Sequence, residues 1–182
     1  MLNDAESASF KAGRNPAKPL SKPSEPVMRN LPLLLLGALL AAFALAAPLP
    51  YDESADAKAD IRQALSAAKE SRTPVFLIFG ANWCEDCRAL DLALKSGRSA
   101  KLLARQFKVV KVDVGNFDRN LDLVAAYGNP IKKGIPAAVV LSPNNEVLYA
   151  TRAGELADAR RMSESGIYDF LRKVTQTAKA KQ

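Results

Sequence analysis

Histidine is missing from all 182 residues, and cysteine occurs only twice. The first absence removes imidazole as a general acid or base, and with it most zinc sites. The second leaves two thiols, too few to complete a tetrahedral zinc shell. No metal and no other cofactor is expected. No cysteine directly follows the alanine-rich stretch around Ala46, so a lipid-modified cysteine is excluded. There is no internal repeat. The chain is basic, at +7, but its Lys and Arg are scattered apart from Lys132-Lys133, Arg160-Arg161 and the tail Lys173, Lys179 and Lys181. These read as solvated faces and not as a nucleic-acid footprint, so no nucleic-acid partner is expected.

Apolar residues make up 48% of the chain, enough for a sizeable core, and the length suits one domain. That domain does not start at Met1. Residues 1–27 are rich in Ala, Ser, Pro, Lys and Glu, with Phe10 the one aromatic, and bury too little to offset their ordering entropy. Met28-Arg29-Asn30 then leads into Leu31 to Ala46, nearly all leucine and alanine, closed by Pro48 and Pro50. A positive flank, an apolar stretch and the small-residue triplet Ala44-Leu45-Ala46 make a signal-peptide pattern with cleavage after Ala46. Translation from Met28 instead of Met1 leaves that pattern intact. The rival reading is an uncleaved anchor over residues 31–49, although the run is short of the roughly 20 residues of a spanning helix. Both readings place the rest of the chain outside the cytoplasm, because positive charge precedes the apolar run. The expected organisation is a leader over residues 1–46 and a folded domain over residues 47–182, exported, periplasmic or otherwise extracytoplasmic. Only the N-terminal segment would touch a membrane.

The two cysteines stand together in Trp83-Cys84-Glu85-Asp86-Cys87. The continuous apolar run Val75 to Phe79 precedes them, as in a strand covered on both faces. A helix from Cys84 comes next, with Cys87, Leu90, Ala93 and Leu94 on it and Gly97 expected at its C-terminal cap. The first thiol therefore sits where free N–H groups and the helix dipole stabilise a thiolate. The second lies one turn on, within reach of a disulfide. A purely structural disulfide is a weak alternative, since so short a loop restrains little unfolded-chain entropy. Helices are further expected over Ser54 to Arg72, from a cap at Ser99, over Asn120 to Tyr127 and from about Tyr168 to Thr177. Strands are expected over Lys108 to Val114, Ala137 to Leu141 and, after the turn Ser142 to Asn145, Val147 to Ala150.

From about Tyr51 to the last helix the chain resembles the thioredoxin family. Three features carry the resemblance: the strand ending in Trp83-Cys84-x-x-Cys87, the strand Lys111-Val112-Asp113-Val114 with a helix ending Tyr127-Gly128, and Gly134-Ile135-Pro136 just before a strand. It implies an α/β thioredoxin fold, a central mixed β-sheet flanked by helices and preceded by the N-terminal signal or anchor segment. It also implies a cis bond between Ile135 and Pro136, facing the cysteines. There the Ile135 backbone would pair with extended substrate, with Trp83 shielding the disulfide and touching substrate as well. Two departures stand out. Glu85-Asp86 replaces the Gly-Pro of classical thioredoxins, and Ile78 stands six residues before Cys84, where they carry a buried acid. Extra residues Asn129 to Lys133 precede Gly134 and are expected beside the site.

Cys84 is the expected nucleophile and Cys87 the resolving thiol, the pair forming a disulfide in the oxidised state. Glu85 and Asp86 place negative charge next to Cys84 and tune its pKa upward. Their plainer role is as favourable first-turn residues. Lys111 is either a lysine near the active-site strand or a surface lysine, while Tyr127 and Phe107 are core. The expected function is an exported thiol–disulfide oxidoreductase, reductase or oxidase, acting on cysteine-containing exported proteins. A redox partner protein would serve it, a membrane electron donor in the reducing direction. The alternative is a redox-inert peptide-binding module of the same fold.

Overall fold

The computed structural model describes residues 48–181. The leader, its cleavage point and nearly all of the alternative anchor lie outside these residues. No helix among the described residues is long and apolar enough to cross a membrane.

The element order is α1 (Ala57–Ser71), β1 (Val75–Gly80), α2 (Glu85–Leu94), α3 (Gly97–Gln106), β2 (Lys108–Asp113), α4 (Leu121–Ala126), β3 (Ala137–Leu141), β4 (Val147–Ala150) and α5 (Glu164–Ala180). Short 3-10 turns lie at Pro130–Lys133 and Ala159–Arg161. One four-stranded sheet has the order β2-β1-β3-β4. β1 runs parallel to β2, from Val75 opposite Lys108 to Gly80 opposite Asp113, and antiparallel to β3. β4 returns antiparallel on β3. This is the mixed sheet of a thioredoxin-like fold. β1 is buried along its whole length because strands flank it on both sides and helices cover its faces, which is why its sequence shows no alternation.

Several boundaries differ from the sequence expectation. α1 starts at Ala57, not Ser54, because Asp52 accepts from the Ser54 N–H and hydroxyl in a local turn and Asp56 caps the helix through Ala59 N–H, at 3.0 Å. α2 ends in a right-handed Lys95 cap, so Gly97 does not close it. Gly97, at φ +55, opens α3 instead, beside Glu164. Ser99 does not cap; it is buried within α3, and its hydroxyl has no partner among the described residues. α5 begins a full turn before Tyr168, where Ser163 accepts from Gly166 N–H at 3.0 Å. Its polar first turn hid that start, while Ile167, Leu171, Val174 and Ala178 form the buried stripe. Phe107 and Tyr127 are buried as expected.

Candidate active site

β1 ends in Gly80, and the chain turns through Ala81 and Asn82 to deliver Cys84 as the N-cap of α2. No larger residue fits at Gly80: a Cβ there would lie 2.2 Å from the Tyr51 hydroxyl and 2.9 Å from Cys87 Sγ. The strand end, the second sulfur and Tyr51 are therefore in close contact. Cys84 and Cys87 form a disulfide with Cα atoms 5.2 Å apart. Cys84 Sγ also accepts from the Cys87 backbone N–H at 3.1 Å, as an N-cap side chain does. Both cysteines are buried, Cys84 at 6% exposure and Cys87 at 1%.

The Ile135–Pro136 peptide bond is cis, as the resemblance implies. The Ile135 carbonyl oxygen lies 3.7 Å from Cys84 Sγ, so this segment and the first sulfur face each other. Among the described residues, nothing accepts from the Ile135 N–H. The extra residues form the Pro130–Lys133 turn, directly before this segment. Trp83 is 52% exposed, so its ring is not part of the core. Its indole N–H donates to Gly115 O at 2.8 Å, and its ring meets Phe117 edge to face at 5.9 Å.

Two groups at this site were not singled out in the sequence. Ile78 stands where a carboxylate was missed, and its side chain lines a cavity of about 10 Å³ with Tyr51, Cys87, Asp91 and Lys111. A buried carboxylate does reach this space, but from α2. Asp91 follows Cys87 by four residues and so lies on the same helix face. It is 7% exposed, pairs with Lys111 and is 2.7 Å from Lys95 Nζ. Lys111 is thus no free surface lysine. Burial, then the charges of Asp91 and Asp113, push the Tyr51 hydroxyl far above its usual pKa. Asn82 holds the Tyr51 backbone reciprocally, accepting its N–H and donating to its carbonyl, both at 2.9 Å.

The second group is Arg160, read from sequence as a solvated charge. Its guanidinium pairs with Glu85 and approaches Asp86 Oδ1 to 3.7 Å, and its backbone N–H donates to that oxygen at 3.0 Å. The acidic pair next to Cys84 is therefore partly neutralised from the β4–α5 connection. Asp113, at the end of β2, is buried, and desolvation raises its pKa against the opposing pull of Gly115 N–H and Arg119.

A closely spaced, disulfide-forming pair at a helix N-terminus, behind a buried strand and under a backbone edge, defines the class: a redox protein working through sulfur. A family model described as thioredoxin-like matches residues 56–143. A disulphide isomerase from Xylella fastidiosa Temecula1 is 56% identical, with a TM-score of 0.70, covering 71% of this chain and 99% of that one. A thioredoxin from Thermus thermophilus is 21% identical, TM-score 0.47, covering 62% and 82% of the two chains. The oxidised DsbD C-terminal domain of Neisseria meningitidis is also 21% identical, TM-score 0.45, covering 65% and 96%. No curated protein matches. The chain belongs to the thioredoxin-like family, and it is a thiol–disulfide oxidoreductase.

Proposed function

We propose that the protein exchanges disulfides with cysteines of other exported proteins through Cys84 and Cys87. The observation that carries this reading is the Cys84–Cys87 disulfide, with Cys84 Sγ at the α2 N-terminus and 3.7 Å from Ile135 O. In the reducing direction the Cys84 thiolate attacks a substrate disulfide, and one substrate sulfur leaves as thiolate. Cys87 then loses its proton and attacks Cys84 Sγ. The Cys84–Cys87 bond forms, the second substrate thiolate leaves, and the substrate has gained two electrons. The reverse sequence oxidises a substrate dithiol. The Ile135 N–H and C=O form a short edge for an extended substrate segment, next to Pro136, and Trp83 shields the sulfurs.

Asp91 is the group placed to take the Cys87 proton. It is the carboxylate in the cavity that Cys87 lines, and the cavity is close to the room of a single water. A redox partner protein restores the resting state. Export rests on residues 28–46, with a mature chain starting at Ala47.

Insulin reduction by dithiothreitol, wild type against Cys84→Ser, tests the exchange. Loss of the accelerated rate supports it, while equal rates return the peptide-binding module. N-terminal sequencing of protein from a cell-envelope fraction tests export. A start at Ala47 is expected, and an intact 28–46 segment in membranes indicates the anchor. A reduction potential measured against glutathione sets the direction. Values near about −270 mV mark a reductase and values near about −120 mV an oxidase.

A further inference from the structure

The loop between β2 and α4 carries three left-handed residues, Gly115 at φ +54, Phe117 at φ +64 and Asn120 at φ +53. Glycine and asparagine adopt that conformation readily, whereas a bulky aromatic is strained in it. Several hydrogen bonds hold the loop in this shape. Gly115 N–H donates to Asp113 Oδ2 at 3.2 Å, Asn116 N–H to Asp118 Oδ1 at 2.9 Å, and the Asn120 amide to Asp113 O at 2.8 Å. The Trp83 indole fastens its other side through Gly115 O.

Burial of the ring does not offset the strain. Phe117 is 45% exposed and rests edge to face on Trp83, itself 52% exposed. Two large apolar rings thus stand in water, in contact with each other, and one of them is the residue before Cys84. An aromatic pair left half-solvated next to a reacting sulfur is apolar area still available for burial. The acidic charge on the other side of Cys84 is already met by Arg160.

We propose that Trp83 and Phe117 form a docking platform for an apolar side chain flanking the substrate's cysteine. Phe117 then sets a preference for substrate segments with Leu, Ile or Phe next to that cysteine. The platform steers which sulfur Cys84 attacks. A Cys84–peptide sulfur bond forms, the substrate's own S–S bond breaks, and the second sulfur of that bond leaves as thiolate. This inference rests on Cys84 being the attacking thiol.

The test uses the reduced protein and two peptides, each joined to glutathione through its one cysteine. They differ only in Leu or Ser beside that cysteine, and oxidised glutathione alone serves as the small substrate. The wild type should react with the Leu peptide about fivefold faster in kcat/KM, the scale expected from partial burial of one apolar side chain. Phe117→Asn keeps a residue that tolerates the left-handed backbone but removes the ring. It should bring the ratio close to one with the oxidised glutathione rate unchanged, and Phe117→Leu should recover part of the preference. A wild type without discrimination overturns the inference, as does a Phe117→Asn protein that keeps the ratio. Equal slowing on oxidised glutathione would reduce Phe117 to a structural role. A wild type inert to oxidised glutathione would instead overturn the exchange reading itself.

Discussion

Replacing Arg160 by Gln should make the Cys84–Cys87 disulfide harder to reduce. Glu85 and Asp86 occupy the first turn of the helix that Cys84 caps, so their charge opposes a thiolate there. Arg160 meets both carboxylates. Gln removes the charge but keeps the backbone N–H that donates to Asp86, so the connecting loop stays docked. The side chains of Glu85 and Arg160 are 63% and 49% exposed, which places their pair at the weak end of measured ion pairs. Asp86 is only 16% exposed and lifts the combined effect toward about 1 kcal/mol. For a two-electron couple 30 mV is about 1.4 kcal/mol, so the ceiling is a shift of about 20 mV to more negative potential. The sign comes from the reduced state: a less stabilised Cys84 thiolate disfavours the dithiol. Equilibration with glutathione buffers, trapped by alkylation at low and at 1 M salt, reads the shift. It should shrink at 1 M, where the screening length falls to about 3 Å. An unchanged or less negative potential at low salt refutes the argument.

Alkylation of the reduced protein at mildly acidic pH, with adducts mapped, should label Cys84 faster than Cys87, and the opposite order would exchange their roles. Asp91→Asn should leave the first attack intact and slow release of the mixed disulfide, on the order of 10²-fold if the carboxylate is the base. Trapped mixed disulfide in stopped-flow samples reads that step. Gly80→Ala drives a methyl group into Tyr51 and Cys87 and should cost about 2 kcal/mol in urea unfolding, an overpacking penalty. Asp113 has a raised folded pKa, so the native state holds its proton more tightly than the unfolded chain. Its contribution is lost as pH rises from the unfolded value through the folded one. Asp113→Asn should therefore gain stability relative to wild type between about pH 3 and pH 7, and a flat difference in urea midpoints would contradict the burial argument.

What was legible in the sequence was local. The unbroken apolar run Val75 to Phe79 announced a doubly covered strand, and the strand is buried along its whole length. Ile78 stands six residues before Cys84, where classical thioredoxins carry an acid, and the carboxylate proposed to act in its place was harder to see. Asp91 sits at helical spacing from Cys87, but only the fold brings Lys111 to it across 20 residues. Arg160 is further removed, 74 residues from Asp86, on a connection whose sequence has no periodicity. Phe117 gave no signal at all, because a left-handed backbone at a non-glycine residue is imposed by surrounding hydrogen bonds and not by the residue. Helix ends failed where polar residues did the capping: Asp56 and Ser163 set the true starts of α1 and α5.

The disulfide bridges positions three apart, so opening it releases almost no chain. The protein can therefore cycle between its two redox forms without passing through an unfolded state. The oxidised and reduced forms each have their own unfolding free energy, and the two unfolding steps close a thermodynamic cycle with the two reductions. The difference between those two energies equals, through the factor nF of a two-electron couple, the difference between the couple's potential in the native fold and in the denatured chain. Thermal or urea melts of the two forms thus measure, with no electrode and no redox buffer, how strongly α2, Ile135 and Arg160 bias the sulfur pair toward one form.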